Sequence, residues 1–100
     1  MVPKFNDLFA NGYAAELVCP SCGNNYLHHE QVEMFDCGED AKHGLHVTVG
    51  GGYVTTDTSL EGNPSARRHG LKIQFECEGC EAKPTMSIYQ HKGNTYFDFK

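Results

Sequence analysis

Four of the five cysteines form two pairs with the same internal spacing. The pairs are Cys19 with Cys22 and Cys77 with Cys80. Two thiolates that are two residues apart on a tight turn can face one ion, and two such pairs complete the tetrahedron that Zn²⁺ prefers, with Zn–S distances of about 2.3 Å. The spacing therefore predicts one structural zinc ion with these four ligands and no open position for a catalytic water.

Gly23 follows the first cysteine pair, and Gly79 lies within the second. A zinc knuckle bends the backbone so that amide groups point at the sulfur atoms, a geometry in which a Cβ atom can be in the way. Both glycines therefore agree with the predicted metal site.

The fifth cysteine, Cys37, leaves three interpretations open. A free thiol usually behaves as a small, partly buried hydrophobic group. With His43 and His46, Cys37 also forms a set of three soft or borderline donors that could bind a second metal ion. The third interpretation is a thiol nucleophile assisted by either histidine, and no motif supports it.

The other histidines are not predicted as ligands. His28 and His29 are adjacent on a predicted strand, so their rings point to opposite faces and cannot both line one site. His69 and His91 lie in glycine-containing turns, where polar side chains are usually solvated.

The chain also lacks a phosphate-binding glycine loop, a nucleophile elbow and a His-Glu-x-x-His sequence, so we predict that it is not an enzyme.

Alternation of apolar and polar residues predicts the strands that must position these groups. The clearest alternation runs through Leu45, Val47 and Val49 and through Leu71, Ile73 and Phe75. Asn6 or Asp7 could cap a helical turn that runs through Leu8 and Phe9 and ends near Asn11-Gly12. Two further strands are predicted at 14–18 and 26–35. Segments 85–90 and 95–99 are predicted to form a terminal hairpin around Gly93-Asn94. Residues 50–70 are rich in glycine and poor in large apolar residues, which predicts a long loop or the tip of a β-ribbon.

The composition favours a small domain that needs a metal. The chain has 100 residues, no tryptophan and 39% hydrophobic residues, so its single core is thin and a bound ion is a common remedy. No apolar run reaches the roughly 18 residues of a membrane span, and residues 1–10 lack the order of a signal peptide. We therefore predict one domain, 1–100, in the cytoplasm. Cysteines in this reducing compartment are more often metal ligands than disulfides, and an odd number of cysteines also fits a fully paired disulfide framework poorly.

The charge is unevenly distributed along the chain. The net charge is −5, and residues 1–50 contain seven acidic and two basic residues, whereas residues 51–100 contain six of each. The acidic excess argues against a protein whose main affinity comes from neutralising phosphates.

The two cysteine knuckles and the β character around them resemble the zinc-ribbon class. Residues 23–76, 54 in all, separate the two halves, where a compact ribbon has about 15 to 20. The resemblance therefore implies a mainly β fold, namely a single small zinc-ribbon-like domain with an inserted β-hairpin and the long loop 50–70 between the knuckles.

The whole chain also looks like small zinc-ribbon proteins encoded by bacteriophages and bacterial mobile elements. The residues that carry this likeness are Cys19-Pro20-Ser21-Cys22, Gly62-Asn63-Pro64-Ser65 with Arg67-Arg68, and Cys77-Glu78-Gly79-Cys80. The likeness implies an origin in a bacterial host cell, and it assigns no reaction and no catalytic residue.

Two functions remain open from the sequence. The first is an interaction module, an accessory protein of a phage or mobile element that binds a host or phage protein through the loop 50–70 and the acidic first half. The second is nucleic-acid binding through Arg67, Arg68 and the strand aromatics, although so few cations would make few phosphate contacts. The candidate partner-binding residues are Asn63, Arg67, Arg68, Glu39 and Asp40.

Overall fold

The computed structural model describes residues 4–9 and 12–100, which form strands joined by turns and loops. In chain order the strands are β1 (Lys4–Phe9), β2 (Gly12–Glu16), β3 (Leu27–Asp36), β4 (Leu45–Gly50), β5 (Tyr53–Asp57), β6 (Gly70–Cys77), β7 (Thr85–His91) and β8 (Asn94–Phe99). The described residues form no helix, and hence none that is long and apolar enough to cross a membrane. The predicted mainly β fold is confirmed.

Six strands form one antiparallel sheet in the order β5-β4-β3-β6-β7-β8, and β1 pairs with β2 in a separate sheet. Hairpins join β4 to β5 and β7 to β8. At the centre, β3 pairs with β6 over its whole length, with Leu27 opposite Cys77 at one end and Phe35 opposite Gly70 at the other. This pairing places the end of β6 beside the start of β3, which is where the two cysteine pairs meet.

The register aligns apolar residues from all six strands on one side of the sheet, which we call the apolar face. From β5 to β8, its two central rows are Val54, Val49, Val32, Ile73, Met86 and Phe99, and Thr56, Val47, Met34, Leu71, Ile88 and Phe97. Eleven of these twelve side chains are apolar, and none is ionisable. Because successive residues of a strand point to opposite sides, the intervening residues form a second side, which we call the polar face.

Residues 58–69 form a loop that covers part of the polar face. Ser65 is 5% exposed, and its hydroxyl donates to the Gln90 carbonyl at 2.7 Å. A Cβ atom on Gly70 would lie 2.1 Å from Oδ1 of Asn63, so the loop can approach the sheet here only over a glycine. Phe35, which pairs with Gly70 in the sheet, is 1% exposed. The buried part of the described structure is therefore small, and it is divided between Phe35 under this loop and the cysteines Cys19 and Cys77 at the other end of the sheet.

The predicted long loop 50–70 is wrong in its first part, which contains β5. Gly51 and Gly52 take φ angles of +60° and +85° and form a two-residue turn between β4 and β5. Positive φ at both positions matches the twist of a hairpin, and glycine adopts it without steric cost. The strand shows no apolar alternation with a buried side because it is an edge strand that is exposed throughout.

The predicted helical turn after Asn6 and Asp7 is also wrong, because both residues lie in β1. A single helical turn gains little for the backbone freedom that it costs, whereas pairing with β2 satisfies backbone groups along the strand. The part of this prediction that concerns Asn11 lies outside the described residues. The predicted strand 14–18 ends earlier, at Glu16.

The predicted strand 26–35, the two alternating strands and the terminal hairpin are confirmed as β3, β4, β6 and β7-β8. One detail of the hairpin differs. Its left-handed residues are Lys92 and Gly93, at φ of +50° and +82°, which is one position earlier than the predicted pair. The ladder ends on the pair His91 and Asn94, so Asn94 already belongs to β8.

Candidate metal centre

The four paired cysteines lie at one end of the six-stranded sheet. The first pair lies between β2 and β3, and Cys77 is the last residue of β6. Leu27 pairs with Cys77, and the Glu78 amide donates to the Tyr26 carbonyl at 3.1 Å, which joins the two knuckles. Backbone pairing at the centre of the sheet thus brings Cys22 and Cys77 together although they are 55 residues apart in the chain.

The sulfur atoms have the spacing of a tetrahedral site. Sγ of Cys19 lies 3.7 Å from Sγ of Cys80, and Sγ of Cys22 lies 3.6 Å from Sγ of Cys77. All four sulfurs lie within 4.8 Å of one another. Four sulfurs at about 2.3 Å from one ion would be about 3.8 Å apart in a regular tetrahedron, whereas a disulfide needs about 2.05 Å. The four thiols can therefore hold one metal ion.

Backbone amides point at a sulfur atom in both knuckles. The Ser21 amide donates to Sγ of Cys19 at 3.4 Å, and the Gly79 amide donates to Sγ of Cys77 at 3.3 Å. Hydrogen bonds of this kind favour the thiolate, which is the form that binds metal, and they fix the orientation of the ligand.

Each knuckle also needs its glycine, as the sequence predicts. Gly23 takes a φ angle of +79°, and its amide donates to the Cys19 carbonyl at 2.8 Å. A Cβ atom on Gly79 would lie 2.6 Å from Nδ2 of Asn24. Because Asn24 follows the first cysteine pair, the missing side chain of Gly79 lets the two knuckles approach each other.

The thiols influence one another's ionisation. Burial alone would raise the pKa of Cys19, but backbone hydrogen bonds from Cys22 and Ser21, together with the neighbouring thiols, lower this pKa to about 7. At Cys80 a backbone hydrogen bond from Ala82 acts to lower the pKa, yet burial and the neighbouring thiols outweigh it and raise the pKa to about 12. A bound cation favours the thiolate at every position, which couples metal binding to proton release.

Cys37 is not brought together with His43 and His46. It is 2% exposed, and its thiol donates to the Gly38 carbonyl at 3.1 Å. Within residues 16–100, the four-cysteine cluster is the one group of side chains placed to hold a metal. Of the three interpretations, the small buried thiol is the one that the structure supports.

We expect Cys37→Ser to leave the metal content unchanged and the melting temperature nearly so. The paired cysteines complete the tetrahedron without a fifth thiolate, and a serine hydroxyl can donate to the same Gly38 carbonyl. Elemental analysis and a thermal melt beside the wild type check this. Loss of metal from the variant would mean that Cys37 is a ligand and that the four-cysteine assignment is wrong.

Sequence reasoning missed a cluster around His46 on the polar face. Its Nε2 lies 3.0 Å from Oε1 of Glu33, its Nδ1 lies 3.1 Å from Oδ1 of Asp57, and its ring stacks on Phe35 with centroids 4.3 Å apart. The pKa of Asp57 is below its usual value mainly because the Ser59 amide donates to it, and His46 adds to this effect. Alternation predicts which way His46 points, but only the register places a carboxylate on either side of it.

His28 and His69 also have specific partners. His28 contacts the carboxylate of Glu78, which lies in the second knuckle. His69 was predicted to be simply solvated, but its Nδ1 accepts a hydrogen bond from the Cys37 amide at 2.9 Å and lies 3.2 Å from Asp36. This role of His69 follows from the end of β3 lying beside the start of β6. The register that places them together could not be read from the sequence.

The five candidate partner-binding residues do lie together, and they mostly bind one another. Arg67 forms a two-bond ion pair with Asp40, in which Nη2 lies 2.6 Å from Oδ2, and this hydrogen bonding lowers the pKa of the Asp40 carboxyl. Nη1 of Arg68 lies 3.8 Å from Oε2 of Glu39. Asn63 donates to the Arg68 carbonyl at 2.9 Å and so holds the loop itself. The charges that the sequence offered to a partner are therefore already paired within the molecule.

No protein-family model, no curated protein and no solved structure matches the chain. The likeness to zinc ribbons and to phage-encoded proteins therefore stays a prediction. The all-β fold and the four-cysteine cluster rest on the geometry of this chain alone.

Proposed function

We propose that this protein is a zinc-stabilised protein-interaction module whose binding surface is the apolar face. The observation that carries the proposal is the pair of central rows, which has no ionisable side chain, extends over all six strands and, in the described part of the chain, keeps several large apolar side chains exposed. The role that we propose is binding and not catalysis, because four cysteine ligands would leave no open position on a bound ion for a catalytic water.

Zn²⁺ is the ion that suits the four-cysteine cluster best. Thiolates are soft ligands, and a tetrahedral set of four sulfurs is typical of zinc or iron sites. A closed site of this kind adds its binding energy to folding instead of activating water. A bound ion would therefore hold together the end of the sheet where the start of β3 meets the end of β6.

Large apolar side chains of the two central rows remain exposed. Met34 is 54% exposed, Val49 48%, Val54 63% and Phe97 49%. Scattered exposed apolar residues are normal, but a contiguous patch of more than a few hundred Å² marks a binding surface. These rows cross six strands spaced about 4.8 Å apart, so the patch extends over about 24 Å.

The biological setting that we propose is an accessory protein of a bacteriophage or bacterial mobile element, which binds a host or phage protein in the bacterial cytoplasm. The support for this setting is the sequence likeness given above. A small scaffold held by a metal also suits such a role, because it presents a rigid surface from a short chain.

The sharpest test compares two exposed positions on opposite faces. Met34→Glu places a charge in the apolar face, and Thr55→Glu places the same charge on the polar face of β5. Tagged wild type and both variants are incubated with extract of host cells that also express the untagged chain. Bound proteins are identified by mass spectrometry and titrated again in purified form.

We expect wild type and Thr55→Glu to retain the same partner and Met34→Glu to lose it, with equal metal content in all three. Burial of an unpaired carboxylate in an apolar contact is costly, which is the physical reason for the loss. A partner that binds all three proteins equally would place the binding site elsewhere and contradict the proposal.

Nucleic-acid binding, the second function open from the sequence, has less support. Arg67 directs its guanidinium fork at Asp40, and Nζ of Lys72 lies 3.5 Å from Oε2 of Glu33. Cations that are already paired release fewer counterions when they meet phosphate, so they add less affinity.

We expect that the wild type gives no gel shift with DNA or RNA even at low salt. The variant in which Arg67 and Arg68 are both replaced by alanine should give the same result. Their ion pairs are exposed, so the double replacement should change the free energy of unfolding by only about 0.5 kcal/mol or less. A gel shift at low salt that the double alanine variant loses would restore the nucleic-acid function.

A further inference from the structure

We infer that the occupant of the apolar face is a second copy of this chain, packed face to face so that two sheets form the two layers of a β-sandwich. The inference rests on the proposed function, because it names the partner of the same surface, and that partner is this chain itself in place of a host protein. Packed sheets of this kind align within about 30° of each other, with their inner faces about 10 Å apart.

The architecture leaves one layer missing. A stable domain normally buries a sheet's apolar side against a second layer of structure. Here the loop 58–69 covers the polar side around Phe35, whereas among the described residues the apolar side carries half-exposed Met34, Val49 and Phe97. The most apolar surface of the sheet is thus the one without a second layer.

The chain exposes more surface than a compact monomer of its mass. It exposes 7050 Å², whereas a compact monomer of 11.1 kDa exposes about 5,650 Å², which leaves an excess of about 1,400 Å² over the chain as a whole. A standard interface removes about 800 Å² from each partner, so part of this excess is enough for one subunit of a dimer.

The charge distribution permits a copy of the same chain as partner. Each molecule has a net charge of −5, so a contact between two copies is least opposed where like charges are absent from it. Among the acidic residues of the strands, Glu33, Asp57 and Asp98 point to the polar face and would lie away from the contact. The rows themselves are uncharged, and polar residues such as Asp36 and Gln90 stand at their ends, as in an apolar interface with a polar rim.

Side-chain size changes across the face in a self-complementary way. The β3–β5 half supplies mostly small residues, namely Val32, Val47, Val49 and Val54 with Met34 and Thr56. The β6–β8 half supplies larger residues, namely Leu71, Ile73, Met86, Ile88, Phe97 and Phe99. A two-fold axis parallel to the strands, between β3 and β6, places the small half of one copy over the large half of the other. In this arrangement Val49 of one copy faces Met86 of the other.

The first test is the mass in solution, measured by sedimentation equilibrium on the metal-loaded chain of residues 1–100. Wild type and Thr55→Glu should be dimers of about 22 kDa, twice 11.1 kDa. Met34→Glu should be a folded, metal-loaded monomer, with the dissociation constant raised at least about 100-fold, because it buries two unpaired carboxylates. Met34 is 54% exposed in the single chain, so the monomer tolerates the charge.

The second test concerns the axis. Val49→Glu and Met86→Lys should each be monomeric alone, and an equimolar mixture should form a heterodimer in which the two new charges face each other. If the wild type is a dimer but the two variants fail to associate, the proposed position of the two-fold axis is wrong.

If the wild type is a monomer at every concentration, a second copy of the chain does not cover the apolar face and the inference is wrong. The inference is also wrong if the wild type is a monomer that Met34→Glu destabilises, because the face would then be covered within the chain. The first result leaves the proposed function to its own test, since another protein that binds wild type and Thr55→Glu but not Met34→Glu would still support it. The second result would also contradict the proposed function, which needs an open apolar face.

Discussion

Removal of the metal should abolish the cooperative unfolding transition of this protein. Structural zinc sites contribute on the order of 10 kcal/mol or more, which is comparable with the whole net stability of a small domain, about 5 to 15 kcal/mol. In the described part of the chain the buried hydrophobic residues are Cys19, Phe35, Cys37 and Cys77, and two of these are ligands. Little apolar burial is left to hold the sheet once the ion is gone.

The measurement is elemental analysis of the fresh protein followed by thermal melts with and without a strong chelator. We expect one ion per chain, and loss of the transition when the ion is removed. Cys77→Ser should have the same effect, because Cys77 ends the central strand β6 and pairs with Leu27 of β3. Cys37→Ser is the matched control, a buried cysteine outside the cluster. Metal-free fresh protein, or an unchanged melting temperature for Cys77→Ser, would refute the metal site.

Phe35→Ala should lower the free energy of unfolding by about 3 to 5 kcal/mol, the usual cost of deleting a buried phenylalanine ring. Phe35 is 1% exposed, and its ring stacks on His46 with centroids 4.3 Å apart. The deletion leaves a cavity next to Gly70, over which the loop 58–69 packs. In a domain of marginal stability this loss leaves much of the protein unfolded near body temperature.

Urea denaturation with the metal bound measures this effect. Tyr53→Ala is the control, since it removes an aromatic ring that is 76% exposed, and it should change the free energy of unfolding by about 0.5 kcal/mol or less. Equal effects of the two substitutions would mean that the loop does not bury Phe35 in solution. Metal content should stay at one ion per chain in both variants, which separates loss of the core from loss of the site.

These predictions describe a protein with two supports at different ends of one sheet. The four-cysteine cluster joins the start of β3 to the end of β6, and the core under the loop 58–69 holds the opposite ends of the same strands. Between them lies a sheet whose apolar side is unsupported within the described chain. A partner layer on that side would complete the structure, which is why binding and stability should be linked in this protein.

Local features of the sequence were enough to predict the four-cysteine cluster and most of the strands. Two residues between Cys19 and Cys22, and between Cys77 and Cys80, set the geometry of each knuckle through local backbone alone. Alternation at 45–49 and 71–75 predicted strands because the side chains of a strand point to opposite faces with a period of two. Both features are local, so no knowledge of distant neighbours was needed.

How these strands combine depends on contacts between residues that are distant in the chain. Alternation says that Val49 and Met34 each face an apolar side, but the register of β3 with β4 and β6 puts those sides together as one uncharged face. The same register places Glu33 and Asp57 beside His46. The Arg67–Asp40 pair depends on where the loop 58–69 folds back, and β5 depends on a neighbour to pair with. Pairings between distant residues are set by hydrogen bonding and packing of the whole sheet, which no local spacing encodes.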